Sequence, residues 1–322
     1  MRVCITGGAG FQGSTLSRAL LARGDEVTIL STLSKASISN LAHFDLNAAK
    51  KVWGSVTDAE LVHKTVREHD LVFHLAGNIH VDESRERPAG YFETNVTGTF
   101  NVAEECRQQG IPLFHVSTCE VYGGCDHCGD YAECDNLIDE TCSLKPQSPY
   151  AASKAGGDCL VHSYGHAYGL PVLVVRPSNV FGSGQRAGVR GAVIPRFLAL
   201  AQAGKPLTVY GDGSQGRDFL YIKDLIQAYL FLIDEFMAGK FGSAPAVFNL
   251  GTGFDVTVHR VAELIIELTG SSSEIIMGKP RPGEVTTFRL DSRKFLRGFA
   301  WQVSFREALE DYVRIEASGY RR

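Results

Sequence analysis

Short apolar, β-branched runs alternate along this chain with longer stretches in which apolar residues recur every three or four positions. That is the pattern of buried parallel strands separated by amphipathic helices. Arg2 to Thr6 is the first such run, and Ser14 to Arg23 the first helix, with Leu16, Ala19 and Leu20 on one face. Strands are predicted at Glu26 to Leu30, around Val52 and Trp53, and at Asp70 to Leu75. Thr57 with Glu60 reads as a capping box that opens a helix to about Glu68. A polar segment, His80 to Ser84, precedes a long helical pattern from about Tyr91 to Gln109, broken by Gly98. Gly110, Ile111 and Pro112 then lead into LFHVSTCEVYG, Leu113 to Gly123, an apolar strand that ends in the polar cluster Ser117, Thr118, Cys119 and Glu120. Cys125 to Leu144 reads as a loop. Pro149 starts a helix that carries Tyr150 and Lys154 one turn apart on one face. Val172 to Val175 is a further buried strand.

This alternation predicts an α/β fold with a doubly wound parallel sheet through about residue 176. Beyond it the units shorten: a helix from Val193 to Ala203, a strand at Leu207 to Tyr210, a turn at Gly211 to Gly213, and an extended run from Arg217 to Ile222. A helix from about Asp224 to Met237 and a strand at Val247 to Leu250 are expected to return to the main sheet. A helix from about Val258 to Leu268 follows, and Ser304 with Glu307 caps a terminal one. The division is therefore 1–176 for the sheet domain and 177–322 for a mainly separate, smaller lobe, with segments near 224–250 crossing back.

At 322 residues and 44% hydrophobic, the chain can bury a large core. Lysine plus arginine is 32 and aspartate plus glutamate 36, a net charge of -4 with no long block of either sign. This gives no electrostatic reason to expect nucleic acid or an anionic membrane as partner. No apolar run reaches membrane-spanning length, and the N-terminus enters directly into a strand and turn, so a cytoplasmic protein is expected. Among eight cysteines, Cys125, Cys128, Cys134 and Cys142 share one segment. One Cys-x-x-Cys pair is a zinc half-site, but the other spacings fit no common pattern, and no metal is expected.

Three features carry candidate chemistry. Gly7, Gly10 and Gly13 sit between a strand and a helix, where missing side chains let a pyrophosphate approach backbone N–H groups. The second strand ends in Ser31 and Thr32 with Lys35 nearby and no carboxylate, which leaves NAD and NADP both open. Thr118, Cys119 and Glu120 end a central strand, where an open α/β sheet places reactive groups, and Tyr150 with Lys154 follows about thirty residues later.

Taken together, these blocks resemble an extended short-chain dehydrogenase/reductase of the NAD-dependent nucleotide-sugar epimerase/dehydratase branch. The resemblance is carried by TGGAGFQG at Thr6 to Gly13, FHLAG at Phe73 to Gly77, STCEVYG at Ser117 to Gly123 and SPYAASK at Ser148 to Lys154. RPSNVFG at Arg176 to Gly182 and GDGSQGRDFLY at Gly211 to Tyr221 extend it over essentially the whole chain. It implies a Rossmann domain with a C-terminal substrate-binding lobe. It implies NAD, with NADP possible, held by Gly7, Gly10, Phe11, Gln12, Gly13, Ser31, Thr32, Asp58, Leu75, Ala76, Gly77, Asn95, Tyr150 and Lys154. Asp58 would reach the adenine, although its place beside a helix N-terminus gives it a structural reason as well. The substrate, a nucleotide sugar and most readily a UDP-linked one, would meet Ser84, Thr118, Asn179, Thr208, Tyr210, Arg217 and Arg281, with Asn95 also near the sugar.

The implied chemistry has Tyr150 as base for the C4 hydroxyl, its phenolate favoured by Lys154 and the nicotinamide cation, with Thr118 hydrogen-bonded to the reacting hydroxyl. Glu120 would take the C5 proton. Cys119 either donates a proton to the departing C6 hydroxyl or fills the pocket. HVDES at His80 to Ser84 and FETNV at Phe92 to Val96 resemble the sugar 4,6-dehydratases, which carry Thr-Asp-Glu where this chain has Thr118, Cys119 and Glu120. Decarboxylases carry Thr-Ser-Glu, 4-epimerases usually lack the glutamate, and Thr-Cys-Glu resembles the 5,6-dehydratase of tunicamycin biosynthesis. The expected activity is a 4,6- or 5,6-dehydratase with recycled cofactor. The alternatives are a 4-epimerase, a UDP-uronate decarboxylase, or an inactive cofactor-binding structural or sensor protein. Likeness also implies a homodimer through Phe92, Val96 and Phe100, which by pattern alone have an equal reason to pack on the sheet.

Overall fold

The structure is a computed structural model, and it describes residues 1–33, 35–124, 137–185, 192–242, 244–280 and 288–318, without the side chains of 35–37, 41 and 42. The strands in chain order are β1 (Arg2–Thr6), β2 (Glu26–Ser31), β3 (Lys50–Trp53), β4 (Leu71–His74), β5 (Leu113–Val116), β6 (Val172–Pro177), β7 (Asn179–Phe181), β8 (Leu207–Tyr210), β9 (Gly216–Tyr221), β10 (Ala246–Leu250), β11 (Asp255–Thr257) and β12 (Ile275–Gly278). The longer helices are α1 (Phe11–Arg23), α2 (Lys35–Phe44), α3 (Ala59–Val66), α4 (Val81–Glu86), α5 (Pro88–Phe92), α6 (Gly98–Gln109), α7 (Pro149–Tyr168), α8 (Val193–Gln202), α9 (Ile222–Met237) and α10 (Val258–Thr269), with Phe305–Ala317 at the C-terminal end.

Seven strands form one parallel sheet in the order β10-β6-β5-β4-β1-β2-β3. Because successive side chains in a strand point to opposite faces, each strand feeds two cores. Ile5, Phe73 and Phe114 join Leu16, Leu20 and Tyr229 on one face. Cys4, Val72, Leu113 and Val174 join Val62, Val102 and Val161 on the other. This is a Rossmann-type doubly wound sheet, with its strand order reversing where β1 lies between β2 and β4. The smaller sheets, β11-β9-β7 and β12-β8, belong to the C-terminal part and stand beside that switch point's carboxyl ends.

Several local readings change in the fold. The cap of α3 is Asp58, whose side chain accepts from the Leu61 N–H at 3.0 Å, and not Thr57. Helical backbone runs from Pro88 to Gln109 through a π turn at Glu93–Thr97, and Gly98 does not break it. Gly98 instead admits the Val56 side chain, since a Cβ there would lie 2.5 Å from Val56 Cγ2. The helix α2 has no counterpart in the periodicity reading, and neither have β7, β11 and β12. The Ser304/Glu307 capping box forms as expected.

Two histidines are fully buried side by side in the sheet, His74 on β4 and His115 on β5, ring centroids 5.3 Å apart. Burial, and then the nearby positive charge of Lys154, pushes His74 down to about 3 and His115 well below its ordinary value. Both are neutral in the folded chain and titrate near 6.5 once unfolded. Their contribution is therefore fully present above about pH 6.5 and is lost as pH falls below it, because the unfolded chain then binds more protons. Between pH 7.5 and 5.5 the two histidines are expected to remove on the order of 3 kcal/mol of stability. Denaturant unfolding at both pH values should show a shallower pH dependence for His74→Gln than for the wild type, and equal slopes would refute the assignment.

Candidate active site

The turn after β1 is shaped by what glycine leaves out. Gly7 has φ +72, and a Cβ on it would lie 2.8 Å from the Ala76 nitrogen; a Cβ on Gly13 would lie 2.3 Å from the Gly7 carbonyl oxygen. The missing side chains let α1 begin directly against β1 and β4. Gly10 is the N-cap of α1, no acidic residue occupies the first turn, and a Cβ there would meet only the Gly7 oxygen, at 3.1 Å. The N-terminus of α1 thus presents free backbone donors and its positive dipole end. In front of it lies a cavity of about 810 Å³, lined by Gly7, Gly10, Phe11, Gln12 and Gly13, by Ser31 and Thr32 at the end of β2, and by Leu75, Ala76 and Gly77 after β4. These residues fit a dinucleotide: the cradle has room only because side chains are absent, and the donor set suits a pyrophosphate.

At its far end the same cavity is lined by Thr118, Cys119, Glu120, Tyr150 and Lys154. Two elements bring them together. The strand β5 runs into a single 3-10 turn at Cys119–Tyr122, capped by Thr118, whose hydroxyl accepts from the Glu120 N–H at 3.3 Å. Opposite it, Ser148 caps α7 and Pro149 occupies its first turn, so the helix starts with Tyr150 and Lys154 on the face toward β5. Lys154 Nζ donates to the Val116 carbonyl at 2.7 Å and ties the helix to the strand.

Burial dominates the electrostatics here. It raises the Tyr150 phenol, while a hydrogen bond with Thr118 lowers it and the nearby Glu120 adds to the rise. It lowers the Lys154 amine to about 8, against the opposing pull of Asp158. It raises the Glu120 carboxyl, partly offset by Arg217, and it raises the Cys119 thiol, with the Glu120 charge adding. In the protein alone, therefore, Tyr150 and Cys119 are protonated at neutral pH, Lys154 is mainly a cation, and the Glu120 carboxyl is shifted toward its protonated form.

Asn179, Thr208, Tyr210 and Arg217 line the cavity from the C-terminal part. Strand alternation in β9 separates Arg217 from Asp218. Arg217 faces the cavity and donates to the Gly216 carbonyl, whereas the Asp218 carboxylate turns inward to Ser178, Thr252 and Gly253. An Arg217–Asp218 ion pair is thus not what holds the arginine.

Three expected ligand residues lie elsewhere. Asp58 is spent on the cap of α3 and does not line the cavity, where Ser55 and Val56 stand instead. Asn95 is 1% exposed, and its amide bonds the Asn78 N–H and carbonyl and the Ser153 hydroxyl; it fastens α7 to the segment after β4 and does not reach the cavity. Ser84 is fully buried and donates to the Val81 carbonyl, while its neighbours Glu83 and Arg85 face the cavity. Arg281, Cys125, Cys128 and Cys134 lie outside the described residues, and Cys142 stands 3.7 Å from Asp139 Oδ1. Among the described residues no cluster of metal-ligating side chains occurs.

The cavity also includes residues that the sequence reading passed over, notably His80, Gln147, Gln185 and Arg196. Arg196 lies over the Tyr210 ring at 5.7 Å and donates to the Thr208 carbonyl at 3.4 Å. A cation inside the otherwise apolar helix VIPRFLAL was a signal available for it. No helix among the described residues is long and apolar enough to cross a membrane.

Comparison with known proteins agrees with this geometry. Residues 3–251 match the NAD dependent epimerase/dehydratase family. The chain is 35% identical over 320 residues to the low-salt glycan biosynthesis protein Agl12 of Haloferax volcanii, covering 97% of each. It superposes on UDP-glucose 4-epimerase of Thermotoga maritima, solved with UDP-glucose, with a TM-score of 0.89 at 28% identity, covering 99% of both chains. It superposes on DesIV, a dTDP-glucose 4,6-dehydratase of Streptomyces venezuelae solved with NAD, with a TM-score of 0.87 at 32% identity, covering 99% and 97%. The chain belongs to the NAD-dependent nucleotide-sugar epimerase/dehydratase family and is closely related to its sugar 4,6-dehydratases.

Proposed function

We propose that this enzyme, one that acts on nucleotide sugars, is a dehydratase: it oxidises a nucleotide-linked hexose at C4 and eliminates water across C5 and C6, and the cofactor is restored in each turnover as the hydride returns to the sugar, at C6 to give a 4-keto-6-deoxy product or at C4 to leave a C5=C6 double bond. The observation that carries this reading is the place of Glu120, a half-buried carboxyl on the turn after β5 that lines the same cavity as Tyr150, beside the protonated thiol of Cys119. A 4-epimerase needs an acid–base residue at O4 but none at C5, so Glu120 would be without a task in it.

NAD, when bound, supplies the acceptor for the C4 hydride and a positive charge near the phenol. Tyr150 removes the C4 hydroxyl proton, a task that requires its raised phenol to be countered by Lys154 and the Thr118 hydrogen bond. Oxidation makes the C5 hydrogen acidic, and Glu120 takes it. Cys119 donates to the leaving C6 hydroxyl. A thiol whose pKa is raised by burial keeps its proton at neutral pH, which an aspartic acid at this position achieves only with a much larger shift. Gly7, Gly10, Phe11, Gln12 and Gly13 would hold the pyrophosphate, and Ser31 and Thr32 the adenosine ribose. Arg217 and Asn179 would meet the sugar's diphosphate, and Thr208 and Tyr210 its base, with Arg196 behind them. UDP-sugars are the first candidates, because the Thermotoga maritima structure holds UDP-glucose. A UDP-linked 4-epimerase is the second reading, favoured by the superposition on that enzyme.

Product NMR after incubation with UDP-, dTDP-, GDP- and CDP-hexoses in deuterated water separates the two. Dehydration loses water and leaves either solvent deuterium at C5 of a 4-keto-6-deoxy sugar or a C5=C6 double bond, whereas inversion at C4 without exchange would establish epimerisation. Glu120→Gln is expected to let the substrate reduce the cofactor, seen at 340 nm as transient absorbance, while lowering elimination by about 100-fold or more. Elimination near the wild-type rate would exclude Glu120 as the base. The wild-type elimination should lose activity on the acid side at a pH above the usual carboxylate range, because burial raises Glu120. A homodimer is also proposed: Phe92 and Phe100, two turns apart, are 42% and 44% exposed, while Val96 between them packs on Gly156 of α7. Light scattering should give twice the chain mass, and Phe100→Glu should shift it toward monomer; a monomeric wild type would remove the proposal.

A further inference from the structure

Beneath α7 the sheet holds polar atoms that no described protein group satisfies. Both ring nitrogens of His115 and the hydroxyl of Ser117 are sealed from solvent and lack hydrogen-bond partners among the described residues. Two positions apart on one strand, they project to the same face, the one on which Leu113 meets Val161 of α7. The residue between them is Val116, whose carbonyl receives Lys154 Nζ. The adjacent His74 provides an internal contrast. It is equally buried, yet Thr6 and Thr99 satisfy its two nitrogens at 2.6 and 3.0 Å. An unsatisfied buried donor or acceptor keeps the full cost of its lost hydration, and buried polar groups that the protein leaves unpaired are ordinarily bridged by internal water.

We propose that His115 and Ser117 form a binding site for an internal water beneath Lys154, and that His115 acts through this water as a positioning residue for the lysine. It touches neither substrate nor cofactor. An ammonium has three donors, and the Val116 carbonyl takes one. The water accepts a second N–H and donates to the neutral imidazole or to the serine hydroxyl, with no net transfer of a proton. The charged and titratable groups that act on His115 are Lys154 from α7, His74 from β4 and Arg176 from β6, while Asp158 from α7 acts on Lys154. Asp158 is held by both arms of the Arg176 guanidinium, at 2.9 Å each, so its charge is largely answered. The lysine therefore depends on oriented dipoles to stay charged in a buried setting, and the bridged water is one of them. This inference deepens the reading of Lys154 as the partner of Tyr150, and its test does not require turnover.

Protein carrying lysine labelled with ¹³C at Cε, with the Lys154 resonance identified by its loss in Lys154→Arg, is titrated by NMR in the wild type and in His115→Phe, His115→Gln and Ser117→Ala. The wild-type midpoint is expected at about 8. His115→Phe, which keeps the ring and removes both nitrogens, should lower it by at least about half a pH unit, roughly threefold in the equilibrium. His115→Gln, which retains a donor and an acceptor, should restore it, and Ser117→Ala should move it in the same direction as His115→Phe and serves if that variant does not fold. A high-resolution crystal structure of the wild type should place a water within hydrogen-bond distance of His115 and Lys154. Midpoints unchanged in the variants, or clear density without that water, overturn the inference. A shifted midpoint in an enzyme that converts no nucleotide sugar would support the water site while removing the proposed reaction, so the two failures are distinguishable.

Discussion

The hydrogen bond from Lys154 to the Val116 carbonyl is the constraint on which the site depends. Lysine is rarely buried, and here it is 7% exposed, held where its amine loses most of its hydration. One end of the bond is the last residue of β5 and the other is the second turn of α7, so it sets the height of the helix against the strand. Tyr150 is one turn earlier on that helix, and Thr118 to Glu120 follow directly on that strand. Fixing the bond therefore fixes the phenol against the carboxyl and the thiol. Asn95 reinforces it from the side by holding Ser153, the residue before the lysine.

A comparable role falls to Asp218 in the C-terminal part. Its carboxylate accepts from the Ser178 hydroxyl, from the Thr252 N–H and hydroxyl and from the Gly253 N–H, and its carbonyl accepts from Asn179. Burial raises this carboxyl while the Thr252 and Gly253 donors counter the rise. The segment after β6, the strand β9 and the turn after β10 are thereby joined at one point. Arg217 and Asn179 line the cavity from two of those pieces, so this side of it is organised by a buried carboxyl as the Tyr150 side is by a buried lysine.

What was legible in the sequence is what depends on local spacing. Gly7, Gly10 and Gly13 mark a strand-to-helix turn, and at Gly7 and Gly13 only glycine tolerates the contacts there. The offset of four between Tyr150 and Lys154 places both on one helix face, and the apolar runs of β1, β4, β5 and β6 read as strands because both of their faces are buried. The Ser304 and Glu307 cap is equally local. Departures occur where one residue has two local uses. Asp58 can cap a helix or reach into a cleft, and only the position of α3 decides that it caps. Gly98 looks like a helix breaker until Val56 is seen to occupy the space it leaves. Residues 35–44 carry too little pattern to announce α2.

By itself, then, the amino-acid order determined the α/β architecture, the glycine turn between β1 and α1 and the residues on the cavity-facing side of α7, because each rests on backbone conformation and periodicity within a few residues. Tertiary structure alone decided that Asn95 is an internal tie, that Arg196 and not only Arg217 borders the cavity, and that His74 is satisfied while His115 is not. Those outcomes turn on side chains separated by tens of residues in the chain, whose hydrogen bonds are made or left unmade only when the strands are set in their order across the sheet.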